Sequence, residues 1–226
     1  MYTGKGQIVE LILENGLRHA RISCSAKLIP SPGQYLLSGA AYSSDVLPVL
    51  LYSTESTQQG FVASAPIPVS WTPGQEIYLR GPLGRGFVLP PSARKVALIA
   101  LDDSSSRLNG LIKLILKQGA AVVLVCNSDE DSLHDDVEVQ PFSGLWDVLN
   151  WADYAAFDIR RESLPELMEL SDGLNQLSRK LAAQVLIRTA MPCGGAAECG
   201  VCAVRTKSSW KLACKDGPVF DLKDVF

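Results

Sequence analysis

Short apolar runs separated by Gly and Pro make up the first ninety residues. The stretch "QIVELILENGLRHARISCS" is typical of two extended segments, joined at Asn15-Gly16, where both residues tolerate positive φ and favour a hairpin. Further strand patterns follow in "QYLLS", "VLPVLLYST", "GFVASAPIPV" and "EIYLRG", and turn signals stand at Pro32-Gly33 and Pro73-Gly74. Because no helical period interrupts these runs, they predict a small antiparallel β-barrel or sandwich.

From Lys95 onward, apolar strands alternate with helical patterns. The runs "KVALIAL", "AAVVLVC", "DYAAFDI" and "AAQVLIR" are typical of buried strands, whereas "RLNGLIKLILKQG", "GLWDVLNWA" and "SLPELMEL" have helical spacing. This alternation predicts βαβ units and a parallel sheet. The Gly- and Pro-rich stretch "GPLGRGFVLPPSAR" links the two patterns, and the acidic stretch 128–136 is expected to be a solvated loop.

Composition and charge exclude several classes of function. The 226 residues are 47% hydrophobic and 20% charged, with a net charge of −3, which gives no basic footprint for nucleic acid. The apolar runs are too short to span a bilayer, and the N-terminus lacks the pattern of a signal peptide, so a cytoplasmic location is expected. Thiols stay reduced in that compartment, and clustered cysteines there indicate metal binding or catalysis rather than disulfides.

Four of the six cysteines lie near the C-terminus with the spacing C-x5-C-x2-C-x11-C: Cys193, Cys199, Cys202 and Cys214. Small residues and glycines between them would let the backbone wrap tightly around an ion or cluster. Structural zinc usually takes two short cysteine pairs, and a dithiol pair would use only "CGVC". A [2Fe–2S] cluster uses three nearby cysteines and a distant fourth, which this spacing matches apart from one extra residue. Cys24 and Cys126 lie in strand-like runs and are expected to be buried apolar residues.

The tail "PCGGAAECGVCAV…KLACKDGPVFD" resembles the cluster-binding end of the electron-transfer subunit of type B dihydroorotate dehydrogenase, in the ferredoxin-reductase superfamily. The link "GPLGRGF" is also similar to that of the family. The resemblance implies a multidomain α+β protein of pyrimidine biosynthesis. Its parts would be an N-terminal antiparallel β-barrel (1–90), an α/β nucleotide-binding-like domain with a parallel sheet (91–188) and a small [2Fe–2S] segment (189–226). It also implies that the four clustered cysteines are the cluster ligands.

The same resemblance makes FAD a possible cofactor of the barrel. Family members bind FAD through a motif similar to R-x-Y-S, which assigns Tyr52 and Ser53 to the flavin here. The arginine position holds Leu50, however, and the following phosphate-binding segment contains Pro66 and Pro68, which supply no N–H group. The alternative is that Tyr52 is simply a strand residue over the core.

NAD(P)H binding is not expected in the α/β domain. A nicotinamide nucleotide needs a Gly-rich turn after the first strand, but "DDSSSRLNG" has no glycine before Gly110. Asp102 and Asp103 would repel a diphosphate, and only Arg107 favours phosphate. Ser104–Ser106 are expected to cap a helix instead.

These observations predict an iron–sulfur electron-transfer subunit with no catalytic residues of its own, rather than a stand-alone enzyme. It would exchange single electrons with a flavin- or metal-containing oxidoreductase subunit, similar to the dihydroorotate dehydrogenase catalytic subunit, in a hetero-oligomer. Two alternatives are a complete NAD(P)H-dependent flavin and iron–sulfur reductase, and a redox-inactive accessory protein with structural zinc. A docking rim around the cluster is expected from the small apolar residues of the loop: Met191, Pro192, Ala196, Ala197 and Val201.

Overall fold

The N-terminal part of the chain is a closed six-stranded antiparallel barrel. The computed structural model describes residues 1–14, 16–40, 47–64, 66–102, 104–127, 133–170, 173 and 181–225. The barrel order is β1-β2-β5-β4-β3-β6, and pairing of β1 with β6 closes it. Its strands are β1 (Tyr2–Glu14), β2 (Leu17–Cys24), β3 (Tyr35–Ala40), β4 (Val49–Thr57), β5 (Gly60–Ala63) and β6 (Glu76–Leu83). The predicted barrel is therefore confirmed, as is the first hairpin, which closes at the pair Glu14 and Leu17.

Inward-facing side chains of every barrel strand form one apolar core. The residues that fill it are almost free of solvent exposure and include Ile8, Ile22, Leu36, Leu51, Phe61, Trp71, Ile77 and Leu79. Alternation of such residues with exposed ones along β1 and β6 is the pattern of a sheet with one solvated face.

A six-stranded sheet with order β14-β11-β10-β7-β8-β9 follows the barrel. All its pairs are parallel except that of β11 with β14. Its strands are β7 (Lys95–Ala100), β8 (Ala121–Val125), β9 (Val137–Gln140), β10 (Tyr154–Arg160), β11 (Ala182–Arg188) and β14 (Val219–Asp221). The helices around it are α1 (Ser106–Lys117), α2 (Leu145–Trp151) and α3 (Leu164–Glu169).

The predicted order of strands and helices in this part is confirmed as far as β11, the last strand predicted, but β14 was not foreseen and neither was β9. Strand β9 has only four residues, and the two central ones are exposed, so it lacks an apolar run. It begins just after the predicted acidic loop, of which residues 128–132 lie outside the described part of the chain.

The C-terminal segment leaves the sheet at Arg188 and returns to it at Val219. Between these points it forms the hairpin β12 (Ala203–Arg205) and β13 (Trp210–Leu212), followed by the short helix α4 (Ala213–Asp216). Strand β14 then pairs with β11, and the helix α5 (Leu222–Val225) follows it. The cysteine-rich segment is thus an insertion between two adjacent antiparallel strands, β11 and β14.

Helix α1 lies directly on barrel strand β4. A Cβ atom at Gly110 would lie 3.4 Å from the Ser53 carbonyl oxygen and 3.6 Å from that of Thr54. Helix α1 and strand β4 are therefore in close contact at Gly110, which leaves little room for a larger side chain at that position. None of the described helices is both long and apolar enough to cross a membrane.

Candidate metal centre

Four cysteines come together in the segment between β11 and β14, which we call the cysteine lobe (residues 189–218). The Sγ atoms of Cys202 and Cys214 lie 3.3 Å apart, one just before β12 and the other in α4. The Cys199 thiol is close enough to Cys193 to contribute to the lowered pKa of Cys193. The lobe therefore presents its thiols as two neighbouring pairs.

The lobe backbone turns repeatedly through the left-handed region. Gly194, Gly195 and Gly200 have φ values of 62°, 74° and 71°, and Ala197 is at 63°. Such turns direct main-chain N–H groups inward, toward the sulfurs. The N–H of Glu198, the thiol of Cys199 and the N–H of Cys199 all donate to the Cys193 sulfur and lower its pKa to about 6.

The second pair of thiols is more deeply placed. Cys202 is 1% exposed and Cys214 is 7% exposed, whereas Cys199 lies at the surface. Burial raises the pKa of Cys214 to about 12, and the neighbouring Cys202 thiol adds to the effect, while the Ala197 N–H opposes it. Two buried thiols in contact need a cation between them to become thiolates, since the thiolate is the form that binds metals.

Contacts from the barrel and from the α/β sheet hold the lobe in place. The Arg80 guanidinium of β6 donates to the Gly194 carbonyl oxygen, and the Tyr35 hydroxyl of β3 donates to that of Cys214 at 3.4 Å. From the side of the α/β sheet, Arg161 donates to the Val201 carbonyl oxygen. The lobe is thus fixed against the barrel and the sheet at the same time.

The predicted docking rim is only partly exposed. Ala196 and Val201 lie at the surface, and Pro192 and Ala197 are half-buried. Met191 is 2% exposed and packs in the core with residues of the sheet, so its assignment to the rim was wrong. An apolar residue next to a buried strand end belongs to the core more often than to a surface.

The other two cysteines lie away from the lobe. Cys126 is buried beyond the end of β8, as expected, and Cys24 is half-buried at the end of β2. Burial raises the pKa of the Cys24 thiol to about 11. Within the described part of the chain, no three His, Cys, Asp or Glu side chains are positioned to hold one metal ion.

Residues 189–226 match the protein family described as the iron–sulfur cluster binding domain of dihydroorotate dehydrogenase B. The electron-transfer subunit of dihydroorotate dehydrogenase B (NAD(+)) from Clostridium perfringens is 27% identical over an alignment of 169 positions that covers 67% of each chain. The chain resembles the electron-transfer subunit of type B dihydroorotate dehydrogenase.

Solved structures share the fold over most of the chain. An NADH-dependent reduced ferredoxin-NADP oxidoreductase, studied for flavin-based electron bifurcation, has a TM-score of 0.75 and 16% identity and covers 98% of this chain and 89% of its own. The ferredoxin reductase of carbazole 1,9a-dioxygenase has a TM-score of 0.63 and 11% identity, and the match covers 81% of this chain and 68% of that one. The flavohem-like FAD/NAD binding domain of a Vibrio cholerae nitric oxide dioxygenase has a TM-score of 0.58 and 16% identity, and the match covers 81% of this chain and 98% of that one. The chain therefore has the ferredoxin-reductase fold.

The cysteine lobe fits an iron–sulfur cluster. A dinuclear cluster needs two cysteine thiolates on each side and N–H donors around its sulfurs. The lobe supplies two adjacent thiol pairs and main-chain N–H groups directed at Cys193 and Cys214.

Tyr52 and Ser53, the residues that the resemblance assigns to FAD, are both buried in this arrangement. Tyr52 is 7% exposed and Ser53 is 4% exposed, under the close contact of α1 with β4. The Ser53 hydroxyl bonds to the Glu55 carbonyl oxygen at 3.0 Å and to the Ser56 hydroxyl at 2.9 Å, so it is already occupied. Beyond β5, Ile67 fills the barrel core between the two prolines that provide no N–H group.

A buried ion network occupies the carboxyl ends of β7, β10 and β11, where this kind of fold binds ligands. Asp158 of β10 accepts from the Arg188 Nε at 2.6 Å, and its other oxygen lies 3.6 Å from the Arg107 Nη1. Arg188 also pairs with Asp102, whose carboxylate accepts from the Arg160 N–H at 2.6 Å and from the Ser163 hydroxyl at 3.2 Å.

This network changes two interpretations made from the sequence. Asp102 was expected to repel a nucleotide, but arginines neutralise it within the network; Asp103 lies outside the described residues. Arg107 was the one feature favouring phosphate, but it is buried beside Asp158, and burial lowers its pKa. The clue available in the sequence was Asp158 itself, a carboxylate inside the apolar run "AAFDI" that requires a buried cation.

The predicted helix start is confirmed without the expected cap geometry. Helix α1 begins at Ser106, and Ser105 is its N-cap residue but makes no capping bond with its side chain. The Ser104 hydroxyl accepts the Ser106 N–H at 3.2 Å instead. The Ser104 side chain therefore satisfies a main-chain N–H group at the N-terminus of α1.

Proposed function

We propose that this protein is an iron–sulfur electron-transfer subunit of an oxidoreductase. Cys193 and Cys199 would hold one iron of a [2Fe–2S] cluster, and Cys202 with Cys214 would hold the other. Such a cluster, when bound, accepts and releases one electron at a time. The observation that carries the proposal is the arrangement of four thiols as two adjacent pairs in a lobe rich in N–H donors.

The chain's own residues position and shield the site. Arg80 and Tyr35 fix the two ends of the lobe on the barrel, and the burial of Cys202 and Cys214 keeps water from one side of it. Cys199 on the opposite side is exposed, which leaves a face through which a partner can exchange electrons.

The cluster needs a second redox group with which to exchange electrons, either FAD in the barrel, as the resemblance allows, or a group on a partner subunit. The positions assigned to FAD are buried, and the ion network fills the strand ends where a nicotinamide nucleotide would lie. The partner would be a flavin- or metal-containing subunit, as in the dihydroorotate dehydrogenase system to which the relative belongs.

The test is the visible spectrum and metal content of protein purified without oxygen, followed by anaerobic titration. We expect a red-brown protein with iron and sulfide in equal amounts, bleaching by dithionite and no bleaching by NADH or NADPH. A colourless zinc protein would contradict the proposal and support the structural-zinc alternative. Flavin bands with rapid bleaching by stoichiometric NADH would establish the complete-reductase alternative.

A further inference from the structure

The segment from Cys199 to Lys215 has an unusual charge pattern for an acidic protein. It carries four cations, at Arg205, Lys207, Lys211 and Lys215, and no acidic residue, although the whole chain has a net charge of −3. All four cations are exposed. Within the described residues, none of the four forms an ion pair, whereas several other surface cations do.

The same segment exposes two large apolar side chains. Trp210 of β13 is 68% exposed and Val201, beside Cys202, is 41% exposed. Trp210 lies directly across the hairpin from Arg205, so an aromatic ring and a guanidinium share one face. Exposed tryptophan and arginine are the residue types that carry most binding energy at protein interfaces.

This surface is rigidly connected to the cysteines. The Cys202 carbonyl oxygen accepts the Ala213 N–H at 3.0 Å, and the Thr206 hydroxyl donates to the Ser209 carbonyl oxygen at 2.6 Å to close the hairpin turn. A protein bound to the hairpin would therefore be held at a fixed position beside the thiol pairs.

We infer that the hairpin β12–β13, with Val201, Arg205, Lys207, Trp210 and Lys211, is the docking face for an acidic electron-transfer partner. The inference rests on the proposed function. The unpaired cations would steer a partner with an acidic surface toward the lobe, and Trp210 would pack against it on contact. Steering of this kind raises association rates and weakens as salt is added.

Two soluble haem proteins of opposite surface charge serve as probes, the acidic cytochrome b5 domain and the basic cytochrome c. Each reduced cluster gives up one electron and one ferric haem becomes ferrous, which stopped-flow absorbance follows. We expect the rate with cytochrome b5 to fall with added salt. It should also drop about tenfold or more in the Arg205→Glu, Lys207→Glu, Lys211→Glu triple variant, as for other steered encounters.

The matched control is the triple variant Lys27→Glu, Lys95→Glu, Lys117→Glu, which makes the same change in net charge with exposed lysines elsewhere. It should keep most of the rate with cytochrome b5. Equal losses in both triple variants would show that only overall charge matters and would overturn the inference. So would a faster reaction of the unaltered protein with cytochrome c than with cytochrome b5 at low salt.

A second measurement needs no electron transfer. Carbodiimide cross-linking joins lysine amines to carboxylates in contact, and we expect cross-links from Lys207 and Lys211 to cytochrome b5, lost at high salt and reduced in Trp210→Ala. Cross-links confined to lysines outside the hairpin, or binding to anionic lipid vesicles in place of the acidic protein, would overturn the docking face. Loss of the cluster in the unaltered protein would instead refute the proposed function.

Discussion

Tyr35 and Tyr52 lie with their ring centroids 6.2 Å apart, tilted by 48°, on neighbouring strands of the barrel. The Tyr35 hydroxyl donates to the Cys214 carbonyl oxygen, whereas Tyr52 is buried where the charges of Arg107 and Asp158 influence its pKa. The pair thus connects the cysteine lobe on one side with the ion network on the other. It is the place where barrel, lobe and sheet meet.

The two tyrosines differ in how their hydroxyls are satisfied, which gives a matched pair of variants. Among the described residues the Tyr52 hydroxyl has no hydrogen-bond partner. We therefore expect Tyr52→Phe to leave the free energy of unfolding unchanged or to raise it by about 1 kcal/mol, and Tyr35→Phe to lower it by about 1 kcal/mol. Urea unfolding of both variants measures the difference. A clear loss of stability in Tyr52→Phe would mean that its hydroxyl is bonded in solution.

The ion network should be far more sensitive to substitution than a surface ion pair. Replacing Asp158 with Ala leaves Arg188 and Arg107 buried without their shared partner, so we expect a loss of about 3–5 kcal/mol in the free energy of unfolding. The exposed pair of Lys113 and Glu55 is the control, and Lys113→Ala should cost less than about 1 kcal/mol. Similar losses in the two variants, by urea unfolding, would show that the network is solvated.

The four lobe cysteines should differ from the other two in their effect on metal content. We expect Cys193→Ser, Cys199→Ser, Cys202→Ser and Cys214→Ser each to lose or destabilise the cluster, because a serine oxygen is a poor replacement for a thiolate on iron. Cys24→Ser and Cys126→Ser should keep the visible spectrum and the iron content. Full iron content with an unchanged spectrum in Cys214→Ser would contradict the four-ligand assignment.

Stability should decline at alkaline pH. Burial raises the pKa of Cys24 from 9.0 to about 11 and raises the pKa values of Tyr52 and Tyr154. The folded protein therefore keeps protons that the unfolded chain releases, and the stability present below pH 9 is lost as pH rises through about 11. Urea midpoints measured across this interval should fall, and Cys24→Ala should flatten the first part of the decline. A constant midpoint would show that these groups ionise freely in the folded state.

The sequence predicted the barrel strands, the barrel hairpin and the βαβ order up to β11 because each has a local signal of period or turn residues. It missed the short strands β9, β12, β13 and β14, which have only three or four residues each. The sequence also singled out the four lobe cysteines, since their spacing is itself the signal. It did not reveal the network of Asp102, Asp158, Arg107 and Arg188, whose members are far apart in the chain and meet only when three strands align. The burial of Tyr52 was anticipated only as an alternative to flavin binding, and that of Ser53 was not predicted, since it depends on how closely α1 approaches β4 at Gly110.

The pairing of β11 with β14 bears on how the protein is made in the cell. Strand β14 follows the last cysteine and completes the edge of the sheet through backbone bonds and the buried side chains of Val219 and Phe220. Both ends of the cysteine lobe are therefore anchored by contacts that involve no metal. We expect the newly synthesised polypeptide to fold before the cluster is inserted. The machinery that delivers iron and sulfide would then meet a preformed binding site.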